Sequence, residues 1–284
     1  MKGVENQMAF KIGFATSSVE DTLRELEDEL PETQHKSFPR QSIVKVRFIG
    51  RNTTLVYYND LFDLHNGDVV YVDGKMEGLP GRVIDINYNF KIKRSDYRRV
   101  IALADSDVHG TFYMTLTHFI SFDRHAVPRS KASTWFLAPV SQEDEYITGS
   151  NDTDYFSLDN LNGMRVSSAI AERGFDYFIS NHVQYLCLDD TDGYAIVEGS
   201  DCNYYEVEFQ YTSDGAVGGI TCTCPCGYHC KHEYAVMLQL RELLDLVETK
   251  YSDEYSRSNF VSIIYKEALF RYAVDWKESG SITL

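Results

Sequence analysis

Alternating apolar and polar residues predict short β-strands in the first half of the chain. Over 42–48, two valines and Phe48 occupy every second position, with Lys45 and Arg47 between them, which is the period of a half-buried strand. Short strands joined by polar turns are typical of small barrels, so we predict a small β-barrel domain over 36–140. Further short apolar runs, separated by Asn-Asp and Asn-Gly turns, lie at 55–58, 69–72 and 82–88.

Helical periodicity marks both ends of the chain. An apolar stripe begins after Ser18, a residue that can cap a helix, and stops at Pro31, which predicts a helical segment within residues 1–35. Apolar residues recur at helical spacing over 234–247 and again over 260–273. These two runs predict C-terminal helices, and we expect them to pair antiparallel and to cover a sheet.

A change of composition suggests a domain boundary. The segment 141–160 is rich in Asp, Ser, Thr and Asn, the composition of a loop or a linker. Three strand-like runs then follow at 182–188, 194–199 and 204–211. We therefore predict an α+β protein with an acidic linker over 141–165 and a second domain over 166–284 that contains an antiparallel sheet and helices.

The densest chemical signal lies between Cys222 and His232, where four cysteines and two histidines occupy eleven residues. In a strand, alternate side chains share a face, so Cys222 and Cys224 can point at one metal ion. Cys230 and His232 form a second such pair after a turn. Three thiolates and one imidazole suit Zn²⁺, and four protein ligands leave no position for a catalytic water. We predict a structural Zn²⁺ site at these four residues.

Other uses of the cysteines and histidines remain open. Cys226 and His229 lie in the gap between the two pairs and can compete for the metal. A disulfide is the other common use of cysteine, but four of the six cysteines crowd into nine positions and no secretory signal is evident. Cys187 and Cys202 lie in strand-like runs, and we expect them to be buried as small apolar residues.

The spacing of the four predicted ligands resembles a known zinc-binding module. Cys222-Thr-Cys224, followed by Cys230-Lys-His232 and a helix, resembles the SWIM zinc finger, whose signature is C-x-C, a variable gap and C-x-H. The resemblance covers residues 166–245, because the three short strands are similar to those that lead into SWIM fingers. It implies a Zn²⁺-binding module, in a family that includes nucleic-acid binders and protein binders.

A second resemblance lies in the predicted barrel. The segment 67–86, with glycines at 67, 74, 78 and 81, resembles the KOW motif of SH3-like barrels. Glycine permits tight turns and close approach of backbones, which any small barrel needs. The likeness implies an SH3-like barrel, and KOW barrels also include both nucleic-acid binders and protein binders.

Charge is unevenly distributed along the chain. The net formal charge is −16, yet residues 36–99 hold 12 Lys and Arg against 7 Asp and Glu, whereas 141–215 hold 16 Asp and Glu against 2 Arg. Phosphate repels an acidic surface, so the basic segment is the candidate for nucleic-acid binding. Aromatic and basic residues mix over 88–99, which suits base stacking but also a strand with its cations in water. The predicted phosphate contacts are Lys45, Arg47, Arg51, Lys75, Lys91, Lys93 and Arg94.

Familiar catalytic motifs are missing from the sequence. It contains no Gly-x-Ser-x-Gly elbow, no phosphate-binding Gly-Lys-Ser/Thr loop, no His-Glu-x-x-His and no dinucleotide fingerprint. It also shows no signal peptide and no apolar run of membrane-spanning length. We therefore predict a non-enzymatic cytoplasmic protein, without a membrane partner or a small-molecule substrate, that binds DNA or RNA through the barrel and a protein partner through the zinc module. The alternative is a protein–protein adaptor, or an acidic mimic of nucleic acid, that does not contact nucleic acid.

Overall fold

The protein has a mixed α/β structure with two antiparallel β-sheets and, within the residues described, five α-helices. The computed structural model describes residues 9–13, 39–142, 155–200 and 203–276. The helix predicted between Ser18 and Pro31 lies outside these ranges, and the only described part of the segment 1–35, residues 9–13, forms a strand. At this level, the predicted combination of antiparallel sheets with helices agrees with the structure.

The elements are numbered in chain order. The strands are β1 (Ala9–Gly13), β2 (Ser42–Phe48), β3 (Thr54–Asn59), β4 (Val69–Val72), β5 (Gly81–Asn87), β6 (Val100–Ala104), β7 (His109–Met114), β8 (His118–Ser121), β9 (Phe156–Ser157), β10 (Val183–Asp189), β11 (Asp192–Glu198), β12 (Tyr204–Tyr211), β13 (Ala216–Cys222) and β14 (Phe260–Tyr265). The α-helices are α1 (Arg129–Phe136), α2 (Ser168–Ile179), α3 (Lys231–Lys250), α4 (Ser252–Ser258) and α5 (Lys266–Phe270). None of these helices combines the length and the apolar character needed to span a bilayer.

The smaller sheet has five strands in the order β3-β2-β5-β4-β6. Val44, Val46 and Phe48 on β2 are buried, whereas Lys45 and Arg47 between them are exposed. The alternation predicted for 42–48 is therefore confirmed. The inward residues of β2 pack with those of β4 and β5 into one apolar core beneath the sheet.

The two outer strands of the smaller sheet approach each other. The backbone N–H of Tyr58 on β3 donates to the carbonyl oxygen of Arg98, just before β6, at 2.8 Å. Inside the sheet, Gly81 lies against Val46, and a Cβ atom at Gly81 would come within 2.3 Å of that side chain. Glycine is needed at this position because any larger residue would overlap the packed core.

The larger sheet has nine strands in the order β1-β7-β8-β14-β10-β11-β12-β13-β9. The strands predicted at 182–188, 194–199 and 204–211 are confirmed as β10, β11 and β12. Strands β7 and β8 also belong to this sheet, although they come from the segment 36–140, for which the sequence predicts a separate barrel. The smaller sheet itself uses only residues 42–104.

The helix predicted from apolar spacing over 260–273 is wrong in its first half. Phe260–Tyr265 forms β14, which pairs with β8 on one side and β10 on the other. Ile264 packs into the core on one face of the sheet and Ile263 into the core on the other. A strand that is buried on both faces is a continuous apolar run, which spacing alone does not distinguish from a helix. The C-terminal helices consequently do not form the predicted antiparallel pair.

Helices cover both faces of the larger sheet. Long helix α3 packs its apolar stripe against one face, where Met237 and Leu240 are fully buried. Helices α1 and α5 cover the other face and share a core with β4 of the smaller sheet. The hydroxyl of Tyr71 on β4 donates to the carbonyl oxygen of Thr134 on α1 at 3.2 Å, which links the two sheets through that helix.

Candidate metal centre

Two elements bring the four predicted metal ligands together. Strand β13 ends at Cys222, and Cys224 lies two residues beyond it. Cys230 is the N-cap of α3, so His232 lies in the first turn of this helix. The turn 225–229 joins the two pairs. The four side chains therefore meet where the end of a strand faces the start of a helix.

Strand β12 holds the first pair of cysteines in place. Thr223, between Cys222 and Cys224, donates its backbone N–H to the carbonyl oxygen of Glu206 at 3.0 Å. The backbone N–H of Glu206 in turn donates to the hydroxyl of Thr223 at 3.0 Å. These two bonds extend the β12–β13 pairing by one residue, so both thiols are positioned by the sheet.

The ligand atoms are close enough to one another to share one metal ion. The three sulfur atoms and one nitrogen atom of His232 all lie within 4.8 Å of one another. The Nδ1 atom of His232 is 3.8 Å from the Cys222 sulfur and 3.7 Å from the Cys230 sulfur. Bonds of about 2.3 Å to sulfur and about 2.0 Å to nitrogen place such ligands roughly 3.6 Å apart in a tetrahedron. The cluster can therefore hold a metal ion with little movement.

Burial isolates the cluster from water. Cys224, Cys230 and His232 are buried, and Cys222 is half-buried. The His232 ring stacks on the ring of Tyr205, with centroids 4.7 Å apart and an angle of 28° between the planes. These contacts fix the ring with Nδ1 facing the sulfur atoms. Among the described residues, the buried Nε2 atom has no hydrogen-bond partner.

Helix α2 contributes a second aromatic ring beside His232. Tyr177 meets the His232 ring edge-on at 5.5 Å and stacks on His182 at 4.1 Å. The ammonium group of Lys231, which lies between the last two ligands, sits 4.2 Å from the centre of the Tyr177 ring. Gly174 makes this helix contact possible, because a Cβ atom there would approach Tyr234 on α3 to 2.8 Å.

The three thiols do not all ionise easily. The Cys222 thiol donates a hydrogen bond to the Cys230 sulfur; this bond, followed by burial, raises the pKa of Cys222. The same bond lowers the pKa of Cys230, and burial raises the pKa of Cys224. Three thiolates in this space therefore need a neighbouring positive charge. A divalent ion supplies it, and the N-terminus of α3 adds a partial positive charge.

Neither alternative ligand belongs to the cluster. Cys226 is exposed. The Nδ1 atom of His229 lies 2.8 Å from a carboxylate oxygen of Glu233. The same carboxylate accepts a hydrogen bond from the backbone N–H of Cys230 at 3.0 Å, as in a capping box. Our sequence reasoning missed this role of Glu233, although an acidic residue three positions after the N-cap is its usual sign.

The cysteines outside the cluster differ in their surroundings. Cys187 on β10 is buried in the core, where burial raises the pKa of its thiol to about 11. This position agrees with the expected apolar role. Cys202 lies outside the described residues.

The predicted phosphate contacts are spread over the smaller sheet. Lys45 and Arg47 project from the exposed face of β2, and Lys45 pairs with Asp85 at 2.8 Å. Arg51 lies in the turn after β2. Lys75 lies in the 3₁₀ turn after β4, and Lys91, Lys93 and Arg94 lie in the connection from β5 to β6.

The connection 88–99 groups cations with aromatic rings. The guanidinium of Arg94 lies 4.6 Å from the centre of the Tyr58 ring, and Phe90 packs on the same ring at 6.3 Å. The guanidinium of Arg40, which sequence reasoning missed, lies 4.3 Å from the centre of the Tyr88 ring. We call Arg40 and residues 88–99 together the basic rim.

The seven predicted residues do not meet in one place. Arg94 contacts Tyr58 near the end of β3, whereas Arg51 lies in the turn that precedes β3. A strand rises about 3.3 Å per residue, so the two positions are on the order of 15 Å apart. The seven residues belong to one basic segment of the sequence. In the folded sheet, however, Arg51 and Arg94 lie at opposite ends of β3.

Comparison of the chain with protein-family models, curated proteins and solved structures finds no match. The resemblance to SWIM fingers and to KOW barrels therefore rests on the sequence motifs alone.

Proposed function

We propose that this protein is a non-enzymatic interaction protein built around a structural zinc centre of the SWIM type, and that it binds nucleic acid through the basic rim. The observation that supports the centre best is the buried set of three cysteines and one histidine, with ligand atoms within 4.8 Å. Its order along the chain, C-x-C from a strand and C-x-H at the start of a helix, matches the signature of that finger.

Zinc fits this donor set better than other common ions. Thiolate and imidazole are soft or borderline ligands, whereas Mg²⁺ and Ca²⁺ prefer oxygen. Four protein ligands complete a tetrahedron and leave no open position, so the ion has a structural role. The ion ties the end of β13 to the start of α3, and the buried face of α3 covers one side of the larger sheet. Metal binding and folding of this half are therefore coupled.

The basic rim is the surface proposed to contact nucleic acid. It belongs to a five-stranded sheet, proposed to be an SH3-like barrel, whose outer strands meet beside it at Tyr58 and Arg98. Tyr88 is 37% exposed and carries the guanidinium of Arg40. An exposed ring beside a cation suits stacking on a base together with contact to phosphate. Single-stranded DNA or RNA is the ligand that this combination favours.

A salt series tests the rim on the full-length, zinc-loaded protein. The variant in which Lys91, Lys93 and Arg94 are all changed to Glu should bind single-stranded DNA and RNA more weakly. The slope of log affinity against log salt should become shallower by about one unit for each cation that touched a phosphate in the wild type. The matched control changes Arg241, Lys250 and Arg257 on α3 and α4 to Glu.

The control has the same net charge but leaves the rim intact, so it should keep most of the affinity and the slope. Equal weakening in both triple variants would show that total charge, and not the rim, governs binding. If the wild-type protein binds neither DNA nor RNA at low salt, the nucleic-acid function is wrong.

A protein–protein adaptor is the second candidate function. Helix α2 leaves Phe175 and Ile179 about half exposed, one helical turn apart on the same side. These residues belong to the segment 141–215, which holds 16 Asp and Glu against 2 Arg. An apolar strip within an acidic segment favours a basic protein partner, and an acidic mimic of nucleic acid is a special case. Failure of the salt series with the wild-type protein would leave this candidate.

A further inference from the structure

A cavity of about 600 Å³ lies beside the metal centre, between the start of α2 and the turn 225–229. Its lining includes Arg165, Arg173, Tyr228 and His229. The volume falls within the range of about 300–1,000 Å³ that is usual for sites of small ligands. The proposed zinc and nucleic-acid functions make no use of this cavity.

The charged side chains that line the cavity are cationic, whereas the segment around them is acidic. Residues 141–215 contain 16 Asp and Glu but only two cationic side chains, Arg165 and Arg173. Both of these arginines line the same cavity, and none of the described residues that line it carries a carboxylate. Among the described residues, the lining of this cavity therefore offers two guanidinium groups and no carboxylate.

The two arginines approach the cavity from different elements. Arg165 ends the 3₁₀ turn Leu161–Met164, and Arg173 projects from the second turn of α2. The Nε atom of Arg173 donates to the carbonyl oxygen of Ala169 at 3.0 Å, which directs the side chain towards the N-terminus of α2. Guanidinium groups from two sides can grip the oxygen atoms of a phosphate group in parallel hydrogen bonds.

The N-terminus of α2 and the ring of Tyr228 also line the cavity. Ser167 caps α2, and its hydroxyl accepts a hydrogen bond from the backbone N–H of Ile170 at 3.3 Å. Both residues line the cavity, so the partial positive charge of this helix end adds to that of the arginines. Tyr228 is 76% exposed and offers a ring on which a base can stack.

We infer that this cavity binds the phosphate of a nucleotide through Arg165 and Arg173, with the base on Tyr228. The nucleotide is either a free mononucleotide or the phosphorylated end of a nucleic-acid strand, because both present the same groups. The site goes beyond the proposed function, since it lies outside the basic rim. Only the position of Tyr228, between the second and third metal ligands, rests on the proposed zinc centre.

Calorimetric titration of the full-length, zinc-loaded protein with AMP tests the inference. AMP should bind saturably, whereas adenosine and inorganic phosphate should each bind at least tenfold more weakly because each offers only one of the two groups that the cavity recognises. Arg165→Gln combined with Arg173→Gln should reduce AMP affinity at least tenfold. The matched control, Arg257→Gln on α4, removes an exposed guanidinium elsewhere and should bind AMP like the wild type.

Further variants separate the parts of the site. Tyr228→Ala should weaken AMP but leave the weak binding of inorganic phosphate unchanged, and the exposed position of this ring lets it be removed without disturbing the core. Zinc content and thermal unfolding of every variant should match the wild type. The triple Glu variant of the basic rim should still bind AMP, so failure of the rim function and failure of this site are distinguishable.

Two strand probes distinguish the sources of the nucleotide. A short single strand with a 5′-phosphate that binds more tightly than AMP, and more tightly than the same strand without it, identifies a strand end as the ligand. AMP binding as tight as that of the strand identifies a free nucleotide. No saturable binding of AMP or of the phosphorylated strand by wild-type protein overturns the inference, as does equal binding by the double Gln variant.

Discussion

The rings of Tyr205 and His232 lie stacked, with centroids 4.7 Å apart. Tyr205 belongs to β12 and His232 to the first turn of α3, so this contact joins an inner strand of the larger sheet to the metal centre. It also orients the imidazole, because no described residue accepts a hydrogen bond from its Nε2 atom. In many zinc sites, a hydrogen bond from the second imidazole nitrogen orients the histidine ring. In this protein, the stacking contact with Tyr205 orients it instead.

Tyr205→Ala should therefore weaken metal binding without removing a ligand. We expect a decrease of about tenfold in zinc affinity, the lower end of the effect of residues that orient zinc ligands. Competition with a chromophoric chelator measures it. Tyr205→Phe keeps the ring and should retain the affinity; if both variants bind zinc like the wild type, the ring does not orient His232.

Glu233 should stabilise the start of α3. Its carboxylate accepts a hydrogen bond from the backbone N–H of Cys230 and is held by His229. Glu233→Ala removes the capping interaction and should lower the free energy of unfolding by about 1–2 kcal/mol, as measured by denaturant unfolding of the zinc-loaded protein. Glu248→Ala, at an exposed position of the same helix, is the control and should change it by less than about 0.5 kcal/mol.

His118 should make the protein less stable in mild acid. Burial lowers its pKa below the ordinary value of 6.5, and the nearby ammonium group of Lys266 acts in the same direction. As the pH falls through about 6.5, the unfolded chain takes up a proton more readily than the folded protein, so stability is full above this pH and declines below it.

Thermal unfolding between pH 5 and 7 tests this expectation. His118→Gln keeps a donor for the carbonyl oxygen of Val183. The unfolding temperature of this variant should fall less steeply than that of the wild type as the pH falls. His125→Gln, at an exposed position, should follow the wild-type curve. Parallel curves for all three proteins would show that His118 is not responsible. The metal centre is common to the three proteins and does not affect their difference.

The sequence predicts those features whose structure is determined by residues close together along the chain. The strand at 42–48 follows from its own alternation, and the structure brings Cys222 and His232 together because they lie within eleven residues on a strand and a helix start. The Glu233 cap was equally local and could have been found from its position three residues after Cys230.

Long-range pairing accounts for what the sequence did not reveal. Strand β14 lies between β8 and β10, and its partners on β8 are about 140 residues away along the chain. Nothing in the apolar run 260–265 indicates that both of its sides will be paired. The contact of Arg40 with Tyr88 likewise depends on how strands of the smaller sheet align, so neither residue stood out by spacing alone.

Removing a metal ligand should release the metal ion and also destabilise the C-terminal half of the protein. Cys224→Ser removes one ligand of the four, and the energy of metal binding then no longer contributes to folding. We expect protection of backbone amides in the first turns of α3 against hydrogen exchange to fall in this variant. The amides of β2, in the separate core of the smaller sheet, should stay protected and serve as the internal control.

The metal content of three purified proteins tests the central claim most directly. Elemental analysis should find one zinc ion per chain in the wild type and in Cys226→Ser, whose exposed thiol lies outside the cluster. Cys224→Ser should lose the ion. Stoichiometric zinc in Cys224→Ser together with its loss in Cys226→Ser would contradict the assigned ligands, and absence of zinc from a wild-type protein purified with zinc present would contradict the metal centre itself.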